Sequence, residues 1–344
     1  MSYNPNSKRK LIYVGFAFQH HKGTQAGYHH IKDYLKYDKI IDAQWEDELL
    51  SGNTIFKKIF RKVYFFILGS GQPITMIRCV LLAIFRKNQI FHFIYAENTY
   101  KWLHLFKGKT NKIVCTLHQP KSYFEYNKFW IKTLPKIDKI ILMSEKDIDY
   151  FKKVAGKESV VFIPHGVNTD FYKCDLSINK SIDILMVGNW LRDFEFANEL
   201  FNRLIEHNSN YNICVVINKD NFKYFTNKKV DLLTNISDQR LKQLYQSSKC
   251  LFLPLFEYTA NNAILEAAAT GCKIIIATDK IDNSYLNDKY IEVLELNINT
   301  VENYFTKRSD IINYLSKTNE TSEYVKSNFS WEKVAFQTNN YLNV

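Results

Sequence analysis

The chain has 344 residues, of which 46% are hydrophobic and 15% aromatic, and it carries a net charge of +11. That length accommodates two domains with separate cores, and that apolar content excludes a disordered chain. The basic balance implies an anionic partner, and a nucleotide sugar, a phospholipid surface or a nucleic acid would each satisfy it.

Apolar runs such as Val80 to Phe85 stop well short of a membrane span. The leader MSYNPNSKRK is polar and lacks an apolar signal core, so a cytoplasmic location is expected. Cys79, Cys115, Cys174, Cys214, Cys250 and Cys272 are widely separated and form no CxxC pair. They read as reduced, mostly buried thiols rather than a disulfide frame or a zinc site.

Lys10 to Val14 predicts a strand, Gly15 to Gly27 a polar, glycine-bearing loop, and Tyr28 to Leu35 the start of a helix. Strand, loop and helix make the phosphate-facing half of a βαβ unit, here without a GxGxxG. His20, His21, His29 and His30 cluster on this loop and helix start. With no nearby cysteine or acidic cluster they read as solvated surface in preference to a metal site.

Residues 55 to 67 place Ile55, Phe56, Ile59, Phe60 and Val63 at helical spacing, with Lys57, Lys58, Arg61 and Lys62 between them. A second run, 76 to 87, sets Arg78, Arg86 and Lys87 around an apolar centre. Two readings stay open: basic amphipathic helices lying on an anionic membrane surface, or ordinary helices packed on a sheet with solvated lysines.

Gln89 to Tyr95 and Lys112 to Leu117 are the next strands. The second ends in His118-Gln119-Pro120, at the carboxyl end, where sites form in parallel sheets. Ile137 to Met143 and Val160 to Ile163 continue the alternation, the latter ending in Pro164-His165-Gly166-Val167, where His165 reads as a turn residue. Asp147-Ile148-Asp149 is a literal DxD, but helical patterning sets residues two apart on different faces, so the pair cannot share an ion. No metal is therefore expected. The pattern lapses over 173 to 181, which divides a first domain, 1 to 172, from a second, 182 to 328.

Ile182 to Val187 is a strand followed by Gly188-Asn189-Trp190-Leu191-Arg192-Asp193-Phe194. A glycine at the strand end lets a diphosphate approach, and an arginine neutralises it. Arg192 bears either that role or a surface salt bridge with Glu195 or Asp193. Ile213 to Ile217 is the next strand. The densest signal is LFLPLFEYTANNAILEAAATGCKIIIAT, residues 251 to 278. It predicts a buried strand, a polar turn at Glu257 to Asn261, a helix capped by Asn261 or Asn262, a left-handed stop at Gly271, and a second buried strand. The helix start favours an anion. Glu266, one turn in, is either a ribose-hydroxyl acceptor or a solvent-facing surface carboxylate. Ser330-Trp331-Glu332 starts a terminal helix to about Leu342.

The TANNAILEAAATGCKIIIAT segment resembles the donor-site segment of family-4 glycosyltransferases of GT-B architecture. KGTQAGYHH, TLHQP, PHGV, VGNWLRDF and the FSW start of the last helix resemble further motifs of the same family, so the likeness runs along nearly the whole chain. The resemblance implies an α/β fold of two Rossmann-like parallel-sheet domains facing each other across a cleft, with residues 329 to 344 crossing back to the first. It implies a retaining, metal-independent transferase without a cofactor, taking a nucleotide-sugar donor and a glycan or lipid-linked acceptor, and no nucleic acid.

By the same resemblance, His118 and Glu257 are the catalytic candidates. Gly27, Gly188, Asn189, Arg192, Asn261, Asn262 and Glu266 are the donor-binding candidates. The chain departs from the family at three points. Eight residues separate Glu257 from Glu266 rather than seven, which aligns Tyr258; Asn189 and Phe194 occupy the places of the usual Arg and Lys. Those departures admit a non-catalytic subunit of the same fold that binds a nucleotide sugar or a partner transferase.

Overall fold

The computed structural model describes residues 9–50, 54–68, 72–282, 284–307 and 318–342. The chain divides into two compact units. One comprises the described residues up to Pro164 together with those from Val334 on, the other His165–Lys333.

The first unit is built on a six-stranded sheet of β1 Lys10–Gly15, β2 Lys39–Asp42, β3 Gln89–Phe93, β4 Lys112–Leu117, β5 Lys139–Leu142 and β6 Val160–Phe162. Their order is β2-β1-β3-β4-β5-β6, and every pairing is parallel. The central strands are apolar along their length because helices cover a parallel sheet on both faces. Ile12, Val14, Phe91, Phe93, Ile113, Cys115 and Leu117 form the core with Phe124, Trp130 and Phe151.

The second unit repeats the design with β7 Ile182–Val187, β8 Ile213–Val216, β9 Val230–Leu233, β10 Ser248–Pro254, β11 Lys273–Ala277 and β12 Ile291–Leu294. The order β9-β8-β7-β10-β11-β12 is again wholly parallel. This is the doubly wound arrangement, with the order in which strands are added reversing between β7 and β10. The helix Phe194–His207 buries Ala197, Leu200, Phe201 and Leu204 at the spacing of one helical face. Asp193 caps it, its side chain accepting from Phe196 N at 3.0 Å.

The stretch expected to be a link, 173 to 181, lies within the second unit, and so do the residues just before it. Val167 bridges to Ser330, Tyr172 is buried against the Tyr245 ring, and Gln246 Nε2 donates to the Lys173 carbonyl at 2.9 Å. Apolar packing of Tyr172 thus holds a segment whose polar composition reads as linker. The terminal helix Trp331–Leu342 is shared between the units by sequence. Its Trp331 packs on His165, and a Cβ on Gly166 would lie 2.3 Å from that indole. Its Tyr341 hydroxyl donates to the Ser159 carbonyl at 2.8 Å, within the first unit. Among the described residues no helix is long and apolar enough to cross a membrane.

Candidate donor site and histidine site

In a doubly wound sheet, ligands bind beyond the carboxyl ends of the strands where the order reverses. In the second unit that point carries the loops after β7 and β10, the two stretches the sequence singles out. The loops are knitted together. Asp193 N donates to the Pro254 carbonyl at 3.0 Å and Phe256 N to the Leu191 carbonyl at 3.1 Å, with an antiparallel bridge between Arg192 and Leu255. The strand predicted to run to Phe256 therefore leaves the sheet at Pro254 and turns to pair with the neighbouring loop. Leu191 adopts φ 56°, a conformation costly for a branched side chain, and this pairing holds it there.

Arg192 is the centre of this knot. It is buried, with Nε and Nη2 donating to the Val187 carbonyl at 3.2 and 3.1 Å and Nη1 to the Trp190 carbonyl at 2.9 Å. Nη2 also lies 3.4 Å from Asn261 Oδ1. The surface salt bridge with Glu195 or Asp193 is not what it makes: Asp193 is spent on the helix cap. Burial pulls the guanidinium down to about 10, which leaves it charged at neutral pH. Gly188, with φ +98°, permits the approach, since a Cβ there would lie 3.0 Å from Arg192 Nη2. Asn189 is exposed and ties this loop to the next, its Oδ1 accepting from Asn218 N at 2.7 Å and Asn221 Nδ2 at 3.0 Å.

The helix after β10 runs Asn262–Ala269, with Asn261 at the cap position. Its side chain makes no capping hydrogen bond, contrary to the capping role expected of Asn261 or Asn262, because the carboxamide turns to Arg192. The first turn thus presents backbone N–H groups and the positive end of the dipole with no side-chain cap, beside a buried guanidinium. The helix ends as predicted, with Gly271 at φ +74° and Cys272 N donating to the Ala267 carbonyl at 2.9 Å.

Glu266 is buried, which removes the solvent-facing reading. The Tyr245 hydroxyl donates to its Oε2 at 3.1 Å. Burial raises its pKa to about 7, with the Tyr245 bond partly offsetting that and Asp238 adding to it. One phenol bond fills only part of a carboxylate's acceptor capacity, so lone pairs remain for further donors. The first acidic candidate fares differently. Glu257 Oε2 lies 3.6 Å from Lys280 Nζ. Tyr258, at the aligned place, is buried, its hydroxyl donating to the Asp282 carbonyl at 2.8 Å and accepting from Asp282 N at 3.2 Å. Sequence reasoning missed the Tyr245 partner, since it comes from the helix Asp238–Ser247 and pairs across 21 residues. It also passed over Trp190 and Phe256, exposed aromatics 71% and 54% accessible on the two loops.

In the first unit the reversal lies between β1 and β3, and His118 follows β4, the next strand along. Glu97, in the short helix after β3, clamps its backbone: Oε1 accepts from His118 N and, at 2.8 Å, from Gln119 N. Oε2 lies 3.9 Å from His118 Nδ1. The imidazole packs against Tyr95 with ring centroids 4.6 Å apart and edge-on to Tyr28 at 5.0 Å, and Tyr28 N donates to the Tyr95 hydroxyl at 2.6 Å. Glu97 carries no motif that announces it. Gly27, at φ +106°, sits where a Cβ would lie 2.7 Å from His21 Nδ1 and 2.8 Å from His29 Nδ1.

The four clustered histidines do not share one environment. Burial, then the neighbouring His30 and Lys32 charges, pushes His29 down to about 3, so it stays neutral. His30 pairs with Asp33 at 3.3 Å and donates through Nε2 to the Thr24 carbonyl at 2.9 Å. Among the described residues no group of three or more His, Cys, Asp or Glu is placed to hold a metal ion. In the DxD segment, Asp147 closes a short 3₁₀ turn and accepts from Lys121 N at 3.1 Å, while Asp149 lies in the following helix.

No known protein family matches the chain by sequence, and no curated protein does either. Solved structures do resemble it. Sucrose-phosphate synthase of Thermosynechococcus elongatus superposes with a TM-score of 0.70 at 12% identity, over 96% of this chain and 98% of that one. HepE of Anabaena, in complex with UDP, gives 0.68 at 12% identity, over 97% and 99%. TarM gives 0.63 at 12% identity over 78% of this chain, which spans only 58% of TarM. At such identities the likeness concerns the fold, and that fold is GT-B: two Rossmann-like α/β units, each on a parallel sheet.

Proposed function

We propose that the chain is a glycosyltransferase that moves a sugar from a nucleoside-diphosphate sugar to a glycan or lipid-linked acceptor, in the synthesis of cell-surface polysaccharide or glycoconjugate. The observation that supports this is Glu266, a carboxylate buried one turn into the helix at the strand-order reversal; in this reading it accepts from ribose hydroxyls while the helix start takes the anion. The UDP present in the solved HepE complex makes UDP the first nucleotide to test.

In this reading Arg192 and the first turn of the helix Asn262–Ala269 hold the diphosphate, with Asn261 fixing the guanidinium and Gly188 giving it room. As the glycosidic bond to phosphate breaks, negative charge grows on the leaving diphosphate, and preorganised donors of this kind supply much of a transferase's rate. Trp190 and Phe256 flank that loop pair as apolar faces for a sugar or base. His118, held by Glu97 and the Tyr95 ring, orients the donor sugar or meets charge developing at the anomeric carbon. The outcome is retention of configuration, as in the family the motifs resemble, without a metal. Gly27 and Asn189 act as backbone and loop supports.

A second reading, a non-catalytic subunit of the same fold, is favoured by Tyr258 and Glu257. At the place of the first family Glu stands a phenol locked onto Asp282, and Glu257 itself faces Lys280. A panel of nucleotide sugars, read by thermal stabilisation and then by transfer to an acceptor mixture, separates the two. Stabilisation with sugar release or transfer supports the enzyme; stabilisation without either supports a nucleotide-sugar-binding subunit; no stabilisation by any of them removes the enzyme and leaves only a subunit that engages a partner transferase.

A further inference from the structure

The helix Ile55–Leu68 faces the opposite way from an ordinary surface helix. Ile55 and Phe56 are each 78% accessible, Ile59 58% and Val63 52%. The side turned toward the protein is carried by Phe60, half-buried, and Tyr64, buried, their rings 5.8 Å apart, and by Lys57, whose Nζ donates to the Glu48 carbonyl at 3.3 Å. The helix Pro73–Phe85 repeats the pattern. Met76, Cys79, Val80 and Ala83 are buried, while Ile77, Leu81, Ile84 and Phe85 are exposed, Phe85 at 77%. Both outward stripes are therefore apolar residues at i, i+4 and i+8, with neighbours filling between.

One buried carboxylate anchors both helices. Glu46 accepts from the Tyr64 hydroxyl, from Ile74 N at 2.8 Å, and from Thr75 N and Oγ1 at 2.7 and 2.6 Å. The stripes hang from a shared and fully buried corner rather than from a loose tail. Exposed Lys58 and Lys62 border the first stripe, and Arg78, Arg86 and Lys87 border the second. Between Glu48 and Glu97 the sequence contains no Asp or Glu at all.

We propose that these two helices dock the chain on the surface of an anionic bilayer, with Ile55, Phe56, Ile59, Val63, Leu81, Ile84 and Phe85 entering the headgroup–acyl boundary and the flanking cations on the phosphates. The inference stands apart from the transferase reading and needs none of its residues. Charge chooses the occupant. A wholly basic rim suits anionic headgroups, whereas a second copy of the same face would set like charge against like. Apolar stripes bordered by lysine and arginine have the composition of interfacial helices, which lie in the membrane plane.

The test is flotation of the full chain with phosphatidylcholine vesicles, alone or with about a quarter phosphatidylglycerol. Binding is expected to the mixed vesicles and not to the neutral ones. Lys58→Glu with Lys62→Glu is expected to lower partitioning by about 25-fold or more, since each lysine near the surface contributes about five-fold. Phe56→Ser with Phe85→Ser is expected to lower it at least about ten-fold, with an unchanged melting temperature because both rings are exposed. Flotation with neither vesicle overturns the proposal, and so does equal flotation with both. Self-association in sedimentation that the Phe56→Ser and Phe85→Ser changes abolish, without vesicle binding, would assign the face to a second copy instead.

Discussion

The two strand-order reversals of this chain are built from the same topology and furnished differently. In the second unit the loops after β7 and β10 are laced by backbone hydrogen bonds around a buried guanidinium, and the next helix opens with no side-chain cap. In the first unit the loops end in rings: His118 lies against Tyr95 and Tyr28, with a carboxylate, Glu97, gripping the backbone beneath. An uncapped helix start beside a buried guanidinium suits a fixed anion, and an imidazole packed against rings suits a sugar that must be turned and acted on. The comparison teaches that the proposed binding and chemical roles fall on separate units of a doubled fold, so each can be broken without the other.

Breaking the first half should have the largest effect. His118→Ala is expected to lower turnover about 10²- to 10⁴-fold, the range of a positioned proton-handling or charge-facing group, while nucleoside-diphosphate affinity changes little. Steady-state rates beside calorimetry check it; unchanged turnover would strip His118 of its role.

The second half offers a pH signature. Glu266 has a pKa raised to about 7 by burial, against an ordinary 4.5. Its protonated form therefore favours the folded state, and that stability is complete below pH 4.5 and lost as pH rises to about 7. The loss amounts to about 3 kcal/mol. Glu266→Gln should therefore melt higher than the parent at pH 8 and nearly with it at pH 4.5. Denaturant midpoints at the two pH values decide the matter, and identical differences at both would contradict the burial argument.

A smaller effect is expected of Gly188→Ala. Its φ of +98° and the 3.0 Å approach to Arg192 Nη2 resist a side chain. The cost is about 1–3 kcal/mol, read as a lower melting temperature together with weaker UDP binding. The smallest is expected of Glu97→Gln. With the hydrogen-bonding shape kept and the charge removed, turnover should fall about ten-fold, with KM and melting temperature nearly constant and a shifted pH–rate profile. An unmoved profile would make Glu97 a structural clamp and nothing more.

Much of the second half was legible in the sequence. Apolar runs bounded by Asn and Gly mark β10, the helix Asn262–Ala269 and β11, and Gly271 stops the helix where its left-handed conformation is needed. Gly188 and Arg192 stand out as a close-approach glycine and a cation at a strand end. Geometry that depends on distant chain is not legible. Asn261 forsakes its cap for Arg192, which is 69 residues away. Glu97 meets His118 only because β3 and β4 are neighbours in the sheet. The helix Ile55–Leu68 shows the limit most plainly. Its amphipathic spacing is plain in the sequence, but periodicity cannot say which face meets the protein, and Tyr64 with its Glu46 bond turns the apolar stripe outward.

The most direct test of the account is titration of UDP into the protein and into Glu266→Gln by calorimetry at pH 8. The account predicts that the substitution weakens binding about 10- to 100-fold, the worth of hydrogen bonds to a buried charged group, in a variant that is more stable than its parent. Equal affinity in the two proteins would contradict it, since the ribose would then lie away from the helix Asn262–Ala269.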